Sequence, residues 1–288
     1  MHVPDAHLDR LRTDGFTVIE GFLAPAELTA AQAGLWDLHP RPEAYFADPA
    51  AHPSYARDQF AGIRYFPYVS AGLNAAAVHP DLVDAAERFL GAHEIDVYKI
   101  ELWAKYAGAV DYDQAHHRDY GNHTLLVPDA RAPQMTCFIL LSDVTEADGP
   151  TKVVPLRHTQ DIPTTPFHRP MGELFEYEVA VTAPAGSLMI YRTDVFHRGS
   201  NFTRAGRSRF ALLVDFKTRG PTWQGKIAWP DRANRREWPG AMAGLTPRQR
   251  ELFGFPRLDD AYWTTQTVRE VGARYPAMDM APYARAPG

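Results

Sequence analysis

The sequence holds a single cysteine, Cys137, among its 288 residues. One thiol excludes an intramolecular disulfide and an all-cysteine metal site, and it fits a reducing, cytoplasmic setting. A basic surplus is also lacking: the formal net charge is -5. A nucleic-acid partner calls for a phosphate-neutralising surface, so this balance argues against one. Long apolar runs are missing too. The longest, such as Phe138 to Leu141 and Phe210 to Val214, have the length of buried strands and cannot cross a membrane. The opening Met1-His2-Val3-Pro4-Asp5 lacks the basic and then apolar order of a secretory signal. What is present, 45% hydrophobic and 23% charged residues, is the composition of an ordinary globular protein.

No internal repeat or low-complexity linker divides the chain, which reads as one domain over 1–288. Its first third reads as helical. A helix over Ala6 to Thr13 leads through the Asp14-Gly15 turn into a strand, Phe16 to Ile19. Pro25 suits a first helical turn, and the run from Glu27 to Leu38 and that from Asp81 to Leu90 carry helix formers with apolar spacing. From about residue 95 the character changes. Val97 to Trp103, Met135 to Leu141, Lys152 to Pro155, Tyr177 to Val181, Ser187 to Tyr191 and Phe210 to Phe216 read as strands. Turn clusters such as Ala147-Asp148-Gly149-Pro150 separate them. Short strands with this punctuation point to a mostly β, α+β architecture, with a jelly-roll (double-stranded β-helix, cupin-like) core over about 95–217 and helices outside it. Residues 218–288 return to helix and loop and read as a covering segment.

Twelve histidines are present, so a lone histidine says little, and order and context must decide. His117-Arg118-Asp119 places two candidate ligands two positions apart, and in extended chain alternate residues share a face. His197 lies far downstream, just after the strand Ser187 to Tyr191. Two imidazoles and one carboxylate on one face of an octahedral ion leave three positions open, the arrangement of non-haem iron oxygenases. His-x-Asp alone arises often by chance. His116 is a neighbouring candidate that would fall on the opposite strand face, and His197 also reads as a capping or solvated loop histidine.

Downstream, Asn201-Phe202-Thr203-Arg204-Ala205-Gly206-Arg207 runs straight into the apolar strand. A cation at the mouth of such a strand is costly unless paired. A dicarboxylate would supply a bidentate partner for Arg207, and so would a surface salt bridge; spacing alone does not separate the two.

Several stretches resemble the phytanoyl-CoA dioxygenase family of iron(II)- and 2-oxoglutarate-dependent enzymes. They are Leu11 to Leu23, Leu102-Trp103-Ala104-Lys105-Tyr106 with His117-Arg118-Asp119, Leu141 to Pro155, and Ala185 to Tyr191 leading to His197. The resemblance implies a jelly-roll oxygenase with Fe(II) on His117, Asp119 and His197, and with 2-oxoglutarate and dioxygen as co-substrates. It implies Arg207 for the far carboxylate of 2-oxoglutarate, with Arg209 on the same strand face as the alternative, and Lys105 and Ser200 as secondary contacts. Two departures stand out. His197-Arg198-Gly199-Ser200 is one residue longer than the family's His-Gly-Ser, and Pro155-Leu156-Arg157-His158 replaces Pro-Gly-Ser-His.

The expected activity is hydroxylation of an aliphatic C–H bond in a small organic molecule: a natural product, an amino-acid derivative or a lipid-derived compound. Desaturation, ring closure or epimerisation would use the same centre. A carboxylate at Asp119 counts against halogenation, which needs that coordination position open. The rivals are a jelly-roll binding protein without turnover and a zinc hydrolase, since the same ligands suit zinc. Substrate specificity is expected from the N-terminal third, from Tyr120 to Pro133 and from the C-terminal segment. Trp223, Trp229, Trp238 and Trp263 read first as core packing and second as pocket lining. Oligomeric state is not legible.

Overall fold

The computed structural model describes residues 2–110, 113–119, 134–163, 166–218, 225–233 and 235–284. Helices cluster first. α1 (Asp5–Thr13) leads into β1 (Phe16–Ile19), and α2 (Pro25–Leu35), α3 (Pro42–Ala47), β2 (Ile63–Tyr65), α4 (Ala71–Ala77) and α5 (Pro80–Leu90) follow. The last of these shows why the local sequence is helical. Pro80 occupies the first turn, where its missing N–H costs nothing, and the His79 side chain accepts from the Asp81 N–H. Gly91, at φ 65°, ends the helix in the left-handed region. Between these stops Leu82, Val83, Ala86 and Leu90 form a buried stripe.

The strands are β3 (Ile95–Tyr106), β4 (Gln134–Leu140), β5 (Lys152–Val153), β6 (Val179–Ala180), β7 (Leu188–Arg192), β8 (His197–Arg198) and β9 (Ser208–Thr218). They form a six-stranded sheet in the order β1-β7-β4-β9-β3-β2 and a three-stranded sheet in the order β6-β5-β8. All pairings are antiparallel. The large sheet has two different faces. Phe210, Leu212, Val214 and Phe216 of β9 join the main core with the helices, a cluster that runs from Val3 to Met278. Arg209, Ala211, Leu213, Asp215 and Lys217 alternate with them and face the small sheet. There Met189, Tyr191 and Phe138 of the large sheet pack with Val153, Val181 and Val195.

The expected strands are present with shifted ends. β3 runs longer at both ends than its expected span. The stretches around Lys152 and Val179 pair over only two residues each, and Pro155 has no N–H with which to continue the ladder. Downstream of the sheets, helices at Trp229–Ala233, Trp238–Gly244, Pro247–Glu251 and Thr265–Arg274 cover the core. Among the described residues, no helix is long and apolar enough to cross a membrane.

Candidate metal centre

The segment 113–119 lies antiparallel along 193–201. The His117 N–H donates to the His197 carbonyl at 2.9 Å, and the return bond is 3.0 Å. The Asp119 N–H reaches the Thr193 carbonyl at 3.2 Å, and Gln114 N–H the Gly199 carbonyl at 3.1 Å. This pairing sets His117 directly opposite His197, with ring centroids 4.5 Å apart. Asp119, two positions on, falls on the same side of the strand.

One ligand atom from each of His117, Asp119 and His197 lies within 4.8 Å of the others. His117 Nε2 is 3.9 Å from Asp119 Oδ1, and His197 Nε2 is 3.6 Å from Asp119 Oδ2. An ion bound at about 2.1 Å to three mutually perpendicular donors holds them about 3 Å apart, so small side-chain adjustments close the set around one ion. The imidazoles are already turned for it. His117 Nδ1 lies 3.1 Å from the Ala115 carbonyl and His197 Nδ1 3.1 Å from the Val195 carbonyl. A carbonyl only accepts, so Nδ1 carries the hydrogen and Nε2 presents its lone pair to the interior. Burial pushes the His197 imidazole down to about 4, partly opposed by the neighbouring Asp119 carboxylate. It is therefore neutral, as a ligand must be. The Tyr191 hydroxyl donates to Asp119 Oδ2 at 3.0 Å and lies 3.5 Å from His197 Nε2, so it borders both groups.

His116 takes no part. It is fully buried on the opposite face, with Nε2 3.1 Å from Glu178 Oε2. His168, which the sequence did not single out, stacks on His117 with centroids 5.8 Å apart.

The basic candidates separate. Arg207 is seated on Asp148, Nε to Oδ1 at 2.6 Å and Nη2 to Oδ2 at 2.8 Å. That pair holds Asp148 down at about 2, with burial opposing and the Arg207 and Thr145 hydrogen bonds prevailing. Arg207 does not line the inner cavity. Lys105 and Arg209 do, paired in register across β3 and β9. That cavity also touches Trp103, Phe138 and Met189, and Met189 is two positions along β7 from Tyr191. Arg209 donates to the Gly149 carbonyl. Gly149 has φ 58°, and a Cβ there would sit 2.5 Å from the Ser200 carbonyl oxygen, so the turn that receives Arg209 demands glycine. Ser200 is buried and its hydroxyl donates to the Pro150 carbonyl at 2.6 Å.

The sequence reading missed a buried charged row near the metal ligands. Lys99 Nζ lies 3.4 Å from Asp215 Oδ2 and 3.8 Å from Glu101 Oε2, and Lys226 reaches Glu101 at 2.9 Å. Burial pushes the Asp215 carboxyl up to about 7 against the pull of Lys99. Thr136 pairs in register with both Asp215 and Tyr191, so this row runs across the inner face to Tyr191, beside Asp119. Lys99 and Glu101 are alternate residues of β3 and share a face. Only the tertiary fold makes that face an interior one. Trp229 and Trp238 pack with Phe66 and Phe253, and Trp263 with Tyr283, as core aromatics. Trp223 and the stretch Tyr120 to Pro133 lie outside the described residues.

Known structures share this fold at low identity. The epimerase SnoN, solved with Fe3+, alpha ketoglutarate and nogalamycin RO, is 19% identical with a TM-score of 0.55, covering 74% of this chain and 83% of its own. The carbocyclase SnoK from nogalamycin biosynthesis is 18% identical with a TM-score of 0.53, covering 77% and 88%. AviO1 from Streptomyces viridochromogenes is 17% identical with a TM-score of 0.52, covering 77% and 97%. No curated protein matches the chain. The model of the phytanoyl-CoA dioxygenase (PhyH) family matches residues 11–211, and the chain belongs to that family. Membership together with the inward His117, Asp119 and His197 makes it an oxygenase-type enzyme dependent on iron and 2-oxoglutarate.

Proposed function

We propose that the protein hydroxylates an aliphatic C–H bond of a small organic molecule, with His117, Asp119 and His197 holding the iron. The carrying observation is the pair of histidines tied at Nδ1 to the carbonyls two residues before them, with both Nε2 atoms turned toward Asp119. When bound, iron(II) with 2-oxoglutarate and dioxygen supplies the oxidising power. The protein's own work is placement. The small sheet and the inner face of the large one, read as a double-stranded β-helix within one domain, enclose the ligands and exclude water.

Arg209 is the group we assign to the far carboxylate of 2-oxoglutarate, with Lys105 beside it and Ser200 shaping the adjoining turn. Arg207 is already neutralised by Asp148 and serves to fasten that turn. This reverses the order of the two arginines expected from the family pattern. A planar guanidinium on the inner cavity suits a carboxylate bidentately, and Met189 connects that cavity to the level of Tyr191. The substrate is a small molecule, and a cytoplasmic setting fits the lone buried thiol. Epimerisation and ring closure remain outcomes of the same centre, as the SnoN and SnoK neighbours illustrate.

Anaerobic titration of the iron(II)-loaded protein with 2-oxoglutarate tests the assignment. A weak visible charge-transfer band is expected, lost in Asp119→Ala, shifted to higher 2-oxoglutarate concentration in Arg209→Ala and unmoved in Arg207→Ala. No band with iron bound would favour a binding protein without turnover. A band insensitive to Arg209→Ala would return the anchor to another residue.

A further inference from the structure

The backbone pairing that creates the metal centre is sparse: His117 and His197 meet in an isolated bridge, with single bonds from Gln114 and Asp119 on either side. A slip of one residue would turn His117 and Asp119 away from His197. Something beyond the ladder must hold the register, and the outer face of the same segments shows it. His116 and Arg198 each neighbour a ligand and project to the side opposite it. Glu178, just before β6, reaches both. Its Oε2 lies 3.1 Å from His116 Nε2 and accepts from Arg198 Nε at 2.6 Å, while Oε1 accepts from Arg198 Nη2 at 2.8 Å. Arg198 Nη1 donates to Asp113 Oδ1 at 2.8 Å, at the start of the His117 segment. Phe175 closes the group, 4.3 Å from the Arg198 guanidinium and 5.7 Å between ring centroids from His116.

We propose that Glu178 is a positioning residue for the metal centre: its carboxylate holds Arg198 by two hydrogen bonds and lies against His116, and so fixes His117 opposite His197. The inference rests on the metal-centre reading above. Arg198 and Glu178 side chains are 6% and 12% exposed, so the pair is shielded from water. Losing Glu178 leaves the buried guanidinium with Asp113 as its remaining carboxylate, which draws Arg198, and with it the strand that carries His197, toward that side. Groups bonded directly to metal ligands typically change metal affinity 10–100-fold when removed, and the lower end of that range is the expectation for Glu178, which acts through the ligands' chain neighbours.

The test uses the full chain and Mn(II) alone, with free Mn(II) read by electron paramagnetic resonance at a temperature well below unfolding. Glu178→Gln is expected to raise the Mn(II) Kd about tenfold or more, with Glu178→Asp falling between it and the wild type. Glu87→Gln breaks the distant pair with Arg248, which is 2.5 Å long; it should lower the melting temperature and leave the Mn(II) Kd unchanged. If Glu178→Gln behaves like Glu87→Gln, the residue is merely structural and the proposal falls. Should Glu178→Gln fail to fold, Glu178→Asp replaces it, since the shorter side chain cannot keep both bonds to Arg198. An unchanged Kd there overturns the proposal equally. If the wild-type protein itself binds no Mn(II), the metal centre is overturned together with the clamp.

Discussion

The two faces of β9 carry different burdens. On one, Phe210, Leu212, Val214 and Phe216 are between 0% and 2% exposed and pack against the helices. On the other, Arg209 and Asp215 alternate with Ala211 and Leu213 toward the small sheet, and Asp215 meets Lys99 there. The first face supplies hydrophobic stabilisation, about 1.5–3 kcal/mol for each large side chain buried. The second spends part of it on buried charge, which gains little over an apolar filling of the same shape. Here the buried charge lies beside Tyr191 and Asp119, at the candidate metal centre.

Substitutions that touch one face at a time sharpen this contrast. The largest effect belongs to the inner side. Asp119→Ala should abolish iron-dependent succinate formation from 2-oxoglutarate while the circular dichroism spectrum and melting curve stay close to wild type. Retained turnover would remove Asp119 from the ligand set. On the outer face, Leu212→Ala should cost about 2–5 kcal/mol in urea denaturation with the Mn(II) Kd of the folded protein unmoved; a parallel loss of metal would show the faces are not separable. Arg209→Ala should weaken 2-oxoglutarate binding by about 1.5–3 kcal/mol, the range for a hydrogen bond to a charged group, and Arg207→Ala should not.

The smallest effect is a pH dependence on the outer side. His39 is buried beside Phe210, with Nδ1 2.8 Å from the Tyr55 hydroxyl, and burial pushes its imidazole from 6.5 down to about 3. Its folded pKa is depressed, so the neutral form is favoured. The contribution is complete above pH 6.5 and is lost as pH falls toward 3. Acidification from pH 6.5 to 5 should cost about 2 kcal/mol through this group. Urea midpoints for wild type and His39→Phe across that range check it, since the variant should be flatter.

Much of this molecule can be read from local signals, and the failures have physical causes. Phe16 to Ile19 follows a Gly-containing turn and forms the strand its β-branched content suggests. His117 and Asp119 share a face because alternation along an extended chain is local. Arg207 is different. The family resemblance singles it out, but its partner Asp148 comes from a turn fifty-nine residues earlier, and no spacing rule reveals that pairing. Lys99 and Glu101 carry no local signal of burial, and their partners Asp215 and Lys226 come from more than a hundred residues downstream. Tyr191 was placed in its strand, yet its hydroxyl contact with Asp119 depends on a turn geometry that only the folded chain defines.

Cys137 gives the fold a chemical tolerance. Its sulfur is 0% exposed in the apolar layer beneath the helices, and burial raises the thiol well above its ordinary pKa. Thiolates, not thiols, react with peroxide and alkylating agents. An oxygenase that wastes some dioxygen without substrate bathes itself in such oxidants. This one offers them no thiolate at Cys137 while it stays folded, so iodoacetamide labelling of Cys137 would serve as a clock for unfolding.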